Sequence, residues 1–335
     1  MRHRLKDVAE RAGVSVKTVS NVVNGYLHVR PDTRARVEEA IAELNYRPNL
    51  TARNLRTGRT GVIALAVPEL DSPYFAELAR HVVAAAAELG WTVLVDQTGG
   101  GREQERAAAT GIGDHVIDGL IFSPLALTAD DLASLVGLPM VLLGERVDHG
   151  PADHVAIDNV SAAREITTHL IEIGRRRIAA IGTQSTPEAA SARLRLAGYA
   201  AALSDAGIGY DERLVAPAPA WRRADGAAAM RDLLAAGVRP DAVFCFNDSL
   251  ALGALRALHE AGIRVPDDVA VAGFDDIEDG RFSVPTLSTI APDKERIARL
   301  AVELLNGRIN GDREAPPREL SMPYRLAFRE STVGR

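Results

Sequence analysis

A single cysteine, Cys245, is all the thiol in 335 residues. That excludes an internal disulfide framework and suits a reducing compartment. No apolar run approaches the roughly 18 to 20 residues that span a bilayer; GVIALAV is far too short. The basic start, Met1-Arg2-His3-Arg4-Leu5-Lys6-Asp7, leads into no apolar h-region, so no secretory signal is expected. Enzyme signatures are missing as well. The eight histidines are scattered, with no H-E-x-x-H and no cysteine partner for zinc. Gly99-Gly100-Gly101 follows a strand-like run, yet Gln104 stands where the third glycine of G-x-G-x-x-G belongs, and no G-K-[ST] occurs. Asp275 and Asp276 could form a carboxylate pair, but neighbours on one strand point to opposite faces. No catalytic residue, no metal and no cofactor is therefore expected, and the chain is not read as an enzyme.

What the chain does hold is unevenly placed charge. Residues 1–60 carry twelve Lys and Arg against six Asp and Glu, leaving 27 against 39 beyond, within a net charge of -6. A basic head on an acidic body is the asymmetry of a chain whose head meets a polyanion. The length suggests two or three domains, and 47% hydrophobic residues can bury a sizeable core.

In the head, Leu5, Val8, Ala9 and Ala12 recur at helical spacing. Gly13 can turn the chain, and Ser15 is a good N-cap for a second helix. That helix puts Val19, Val22 and Val23 on one side and Lys17, Ser20 and Asn21 on the other. A third helix opens at Pro31 and carries Val37, Ala40, Ile41 and Leu44 inward. Three short helices around one small core, with the Lys17/Asn21 face left free, make a helix-turn-helix whose second helix suits the DNA major groove.

The segment NYRPNLTARNLRTGRTG follows, residues 45–61. Asn49 can cap a short run to Leu55, with Arg53, Arg56 and Arg59 along it. Arginines so placed can neutralise phosphates, and an exposed Leu55 can wedge between base steps in the minor groove.

From Gly61 continuous apolar strands alternate with helices, in about a dozen units. The pattern argues for parallel sheets covered on both faces, and so many units argue for two similar lobes. Ligand-facing loops should lie at the strand C-termini. There the sequence places Asp71-Ser72-Pro73-Tyr74-Phe75, Ser123-Pro124, Asn247-Asp248-Ser249 and Asp275-Asp276.

Residues 5–60 resemble the headpiece and hinge helix of the LacI/GalR transcriptional regulators. The stretches that carry the likeness are DVAERAGVSVKTVSNVVNG, TRARVEEAIAELNYRPN and ARNLRTGRTG. It continues through RLRLAGY, FCFNDSLALGAL and VAGFDD to about residue 330. The resemblance implies a small all-α helix-turn-helix headpiece (1–48), a hinge helix and linker (49–60), and an α/β two-lobed periplasmic-binding-protein-like core with parallel sheets (61–335). Lobe 1 would span about 61–159 and 292–323, lobe 2 about 160–288 and 324–335, with crossings near Asp158–Ser161, Pro285–Pro292 and Pro323–Ala327.

By the same resemblance, base reading falls on Val16, Lys17 and Asn21, and phosphate contacts on Thr18, Ser20, Asn24 and Thr33. Asn49, Ala52, Arg53 and Leu55 would meet DNA through the hinge. Tyr46 is expected to pack in the small core. Arg195, Trp221, Asn247 and Asp275 occupy effector positions, with Arg193 a further candidate; Asp71, Tyr74, Phe75 and Ser123 lie where the first lobe meets the ligand. Charged and amide groups can bind hydroxyl edges while Trp covers an apolar ring face, which suits a sugar. Ordinary packing for Trp221 and Phe75, and an ion pair for Arg195 and Asp275, stay open as alternatives. Glu145, after Gly144, has no assigned role. The implied function is a cytoplasmic repressor that binds a near-palindromic double-stranded operator under the control of a small effector. A sugar-binding protein or sugar-processing enzyme without a DNA role is the alternative. The tail TVGR is too short and polar for a coiled coil, so a homodimer is expected.

Overall fold

The computed structural model describes residues 4–23, 26, 28–46, 59–110, 117–135, 137–145, 147, 149–186, 189–311 and 315–334, in two compact units that meet between Thr60 and Gly61. The first unit contains α1 (Leu5–Ala12), α2 (Val16–Val23) and α3 (Pro31–Glu43). Gly13 closes α1 at φ +65°, in the left-handed region where a Cβ is strained. Ser15 Oγ accepts the Thr18 N–H at 3.1 Å and so caps α2. Val8, Val19 and Val37, one from each helix, are fully buried, and Ala12, Val22, Ala40 and Tyr46 close around them. Tyr46 is thus a core residue. Asn24 and the hinge residues Asn49, Ala52, Arg53 and Leu55 lie outside the described residues.

The second unit begins with β1 (Val62–Val67), α4 (Pro73–Glu88), β2 (Thr92–Gln97), α5 (Arg102–Ala109), β3 (Gly119–Phe122), α6 (Ala129–Ala133), β4 (Met140–Leu143) and β5 (Asp153–Ile157). It continues through α7 (Asn159–Glu172), β6 (Ile178–Thr183), α8 (Ala190–Asp205), β7 (Val215–Pro217), α9 (Arg223–Ala235), β8 (Ala242–Cys245), α10 (Asp248–Glu260), β9 (Ala270–Phe274), α11 (Glu278–Phe282) and β10 (Ser288–Pro292). The chain ends in α12 (Lys294–Asn310), β11 (Glu319–Met322), β12 (Tyr324–Ala327) and α13 (Glu330–Val333). These strands form two six-stranded sheets, in the orders β11-β5-β4-β3-β1-β2 and β12-β10-β9-β8-β6-β7.

Burial on both faces explains the unbroken apolar strands. In β1, Ile63, Leu65 and Val67 enter one core cluster while Ala64 and Ala66 enter the cluster on the other face. Three crossings join the lobes. After β5 the chain passes Asp158, which caps α7 in the second lobe by accepting the Ser161 N–H at 2.9 Å. After β10 it passes Asp293, which caps α12 in the first lobe through the Arg296 N–H at 3.0 Å. The third crossing is Pro323, between β11 and β12.

Two details depart from the sequence reading. The second crossing follows Pro292 rather than lying within 285–292, because Ser288–Ile290 pair with β9 and Thr289–Pro292 with β12, which keeps the strand in the second sheet. The last strand is antiparallel to β10, whereas every other pair is parallel. Parallel strands of both lobes end at the cleft, so a strand that crosses directly from one lobe enters the other in the reverse sense.

Candidate functional site

The head presents its candidate DNA face on α2. Val16 is 46% exposed and Lys17 is exposed beside it, while Thr18, Ser20 and Asn21 are half-buried. Val19 and Val22 are buried, so the helix is turned by its apolar side as the spacing requires. The Thr18 hydroxyl lies 2.9 Å from Ser15 Oγ, inside the cap of the helix. Thr33 is half-buried in the first turn of α3, and Arg34 donates to the Tyr26 carbonyl at 2.7 Å across the adjoining loop.

In the core, strand C-termini from both lobes surround a cleft. An inner chamber of about 140 Å³ is lined by Tyr74, Phe75, Ser123, Gly144, Glu145, Ser191, Arg195, Trp221, Asn247, Phe274 and Asp275, among others. An outer chamber of about 850 Å³ shares Phe75, Ser191, Trp221 and Asn247 with it and adds Glu69, Asp71, Gln184, Pro219 and Arg222. Of the sequence-predicted effector residues, Tyr74, Phe75, Ser123, Arg195, Trp221, Asn247 and Asp275 meet in the inner chamber. Asp71 lies at the mouth, 3.4 Å from Arg222 of the opposite lobe. Arg193 lines neither chamber and is exposed: two positions along a helix is about 200° of rotation, so Arg193 and Arg195 face apart.

Arg195 is the centre of the inner chamber. Helix α8 can approach α7 because residue 198 is glycine; a Cβ there would sit 2.2 Å from the Val160 carbonyl oxygen. Arg195 is 6% exposed, with its guanidinium 3.5 Å from the centroid of the Phe274 ring and 5.2 Å from that of Trp221. Its Nε donates to Asn159 Oδ1 at 2.7 Å, and its Nη1 donates to the Phe246 carbonyl. Nη2 lies 3.9 Å from Asp275 Oδ1. Burial pushes the Asp275 carboxyl up to about 6, against the pull of Arg195 and Lys294. The Tyr74 phenol is likewise pushed up, first by burial and then by the Asp275 and Glu145 charges.

Asp275 and Asp276 face apart, but not by strand alternation. Strand β9 ends at Phe274, and both aspartates have positive φ, 114° and 49°. Asp275 turns to Arg195, while Asp276 accepts from Arg329 at 2.5 Å and Arg281 at 2.7 Å. Burial raises the Asp276 carboxyl, yet those guanidinium hydrogen bonds prevail and hold it below the ordinary carboxylate range.

Trp221, at φ 53°, is fixed by donating its indole N–H to the Gly182 carbonyl at 2.7 Å. Asn247 donates to the Trp221 carbonyl at 3.0 Å and accepts the Leu250 N–H at 2.8 Å as the cap of α10. Its amide therefore holds the Trp221 backbone and the start of α10 as well as facing the chamber. The sequence reading missed Asn159, Ser191 and Lys294 and left Glu145 open. Glu145 accepts from Asn159 at 2.7 Å and from Ser191 at 2.6 Å, so its role is to join the lobes. Elements remote in sequence bring these residues together across the cleft, and no local pattern in the sequence signals them.

No metal-holding cluster of His, Cys, Asp and Glu occurs among the described residues. No helix of the described residues is long and apolar enough to cross a membrane. The site is a polar cleft with an aromatic wall, the make-up of a small-molecule site.

Known proteins match both units. Residues 4–49 match the model of bacterial regulatory proteins of the lacI family, and residues 167–332 that of a periplasmic binding protein-like domain. The HTH-type transcriptional regulator CelR of Thermobifida fusca is 38% identical over 341 residues, covering 98% of each chain. A solved CelR–cellobiose complex is 34% identical at a TM-score of 0.73, covering 98% of this chain and all of that one. The lac repressor dimer, bound to operator and the anti-inducer ONPF, is 31% identical at a TM-score of 0.85, covering 99% and 100%. Full-length likeness of this order, a capped α2 with its polar face exposed, and a two-lobed core around a polar cleft place the chain in the LacI family of DNA-binding transcriptional regulators.

Proposed function

We propose that the chain is a repressor that binds a near-palindromic operator as a homodimer in the cytoplasm, and that a saccharide in the interlobe cleft controls its affinity for DNA. The observation that carries the ligand class is the convergence of Arg195, Asp275 and the Trp221 ring on one chamber. A guanidinium and a carboxylate recognise hydroxyls, and an indole face covers the C–H face of a sugar ring. The outer chamber lies within the ~300–1,000 Å³ of ordinary small-molecule sites and leaves room beyond a single ring. Similarity to a regulator solved with cellobiose makes β-linked glucosides the first ligands to test.

In this reading residues 1–48 are the headpiece, 49–60 the hinge and 61–335 the core. Val16, Lys17 and Asn21 read bases, while Thr18, Ser20, Asn24 and Thr33 set the register on phosphates. Asn49, Ala52, Arg53 and Leu55 act through the minor groove. Arg195, Asp275, Trp221, Asn247, Tyr74, Phe75 and Ser123 hold the ligand, with Asp71 at its outer end. The cleft binds and does not turn its ligand over. The ligand acts by favouring one of two lobe arrangements, and it shifts DNA affinity only as far as it prefers one of them.

Footprinting on the chain's own promoter region, with and without cellobiose and other sugars, tests the proposal. A protected two-fold site whose occupancy changes with one sugar is the expected result. Absence of any specific footprint would leave a sugar-binding protein or a sugar-processing enzyme as the better reading.

A further inference from the structure

Both residues of the Asp275-Asp276 pair hold positive φ, a conformation that non-glycine residues keep only where their surroundings impose it. Within the second lobe, the Asp275 N–H donates to the Ile290 carbonyl at 2.8 Å, and Asp276 is gripped by Arg329 and Arg281. A further grip comes from the other lobe. Lys294 is the first residue of α12, which packs into the first-lobe core through Ile297, Ala298 and Ala301. Its ammonium donates to the Asp275 carbonyl at 2.6 Å and to the Asp276 carbonyl at 3.0 Å. It also lies 2.7 Å from Glu77 Oε2, on first-lobe helix α4. The other Glu77 oxygen accepts the Glu278 N–H at 2.8 Å, just beyond the aspartate pair.

Lys294 is 7% exposed, and three acceptors match its three donors. Burying such an ion pair gains little stability over an apolar replacement, so its best-attested use is to fix register. Here it fixes the first lobe to the backbone of the residue whose carboxylate faces Arg195.

We propose that Lys294, seated by Glu77, is a positioning residue that ties the Asp275-Asp276 backbone to the first lobe, so that engagement of Asp275 by ligand and the arrangement of the lobes form one coupled event. The proposal rests on the reading of the cleft as the effector site. Ligand that pulls on the Asp275 carboxylate works against a turn anchored in the opposite lobe. The strain is thereby passed to α12 and α4 rather than absorbed in a loop.

The test uses the full chain and its Lys294→Met, Lys294→Arg and Glu77→Gln variants. Hydrogen exchange without ligand is followed by mass spectrometry over residues 275–280 and, as control, over β1. Lys294→Met is expected to speed exchange in 275–280 about tenfold with β1 unchanged, and Lys294→Arg to stay within about threefold of the natural rate. Glu77→Gln should act chiefly at the Glu278 amide. In a second arm, the ratio of operator affinities with and without cellobiose should fall at least about fivefold toward one in Lys294→Met. Unchanged exchange in 275–280, or equal acceleration in β1, would overturn the proposal. A natural chain that ignores cellobiose would count against the ligand reading alone, because the exchange arm needs no ligand.

Discussion

The Ser191 hydroxyl donates to Glu145 Oε2 over 2.6 Å, and this bond spans the cleft, from helix α8 of one lobe to the loop after β4 of the other. Asn159 donates to the second Glu145 oxygen at 2.7 Å, which leads the chain of contacts on to Arg195. A bond to a charged acceptor of this kind contributes about 1.5–3 kcal/mol. In a double-mutant cycle on cellobiose affinity, Ser191→Ala and Glu145→Ala should therefore couple by about 1 kcal/mol. Strictly additive losses would show that the two side chains act separately.

Arg195 and Asp275 are predicted to dominate ligand affinity. Arg195→Ala or Asp275→Asn should each weaken effector binding by about ten- to hundredfold, the loss expected for a charged hydrogen-bond partner. Operator binding in the absence of ligand should persist in Arg195→Ala, giving a regulator deaf to its signal. Calorimetry that found natural effector affinity in both variants would move the ligand elsewhere.

Effector affinity should also depend on pH. The Asp275 carboxyl titrates at about 6, raised by burial. Ligand hydroxyls donate to the ionised form, so affinity should be full above this value and decline as pH falls through it. The slope can reach about tenfold per pH unit, the limit for one proton. Asp275→Asn should flatten the profile between pH 5 and 7, and a flat profile in the natural chain would contradict the assignment.

The acid stability of the core should rest in part on Asp153. It is fully buried on β5 and accepts from Arg308 at 2.8 and 2.9 Å and from the Arg318 N–H at 2.9 Å. Burial alone would raise its carboxyl, but the Arg308 and Arg318 hydrogen bonds win and bring it from the ordinary 3.8 down to about 2. The unfolded chain thus takes up this proton first. The contribution is present above the unfolded value and is lost as pH falls from about 4 toward 2. Asp153→Asn removes the countercharge of the buried Arg308 guanidinium, which keeps its bonds to the Ala315 and Pro316 carbonyls, and should cost on the order of 3 kcal/mol in urea unfolding at neutral pH. A loss below 1 kcal/mol would mean that water already reaches the pair.

For the head, Asn21→Ala should cost about 1–3 kcal/mol on specific DNA and little on random DNA, since a base contact carries the sequence information. Leu55→Ala should likewise reduce specific binding most, by removing a wedge that the operator's deformability must accommodate. Equal losses on random duplex in gel-shift titrations would place both residues on the phosphate backbone.

Local rules sufficed for the head. The apolar spacing of Val8, Val19 and Val37, the Ser15 cap and the left-handed Gly13 need only neighbours along the chain, and each is where its chemistry requires. The alternation of buried strands and helices in the core was legible for the same reason: a strand covered on both faces is apolar throughout. Family resemblance named Arg195 and Asp275 and set Arg193 behind them, and the rotation of α8 turns the two arginines apart.

Tertiary structure decided the rest. Whether Ser288–Pro292 joined the first or second sheet depended on pairing with β9 and β12, which are remote in sequence from the crossing they determine. Among the contacts that bind the lobes together are Glu145 to Ser191, 46 residues apart, and Lys294, seated by Glu77, to the Asp275 carbonyl. A buried charge looks like any other charge in a sequence. Only the fold, by removing water from Lys294 and supplying three acceptors to its ammonium, determines that it anchors the turn that carries the Asp275 carboxylate.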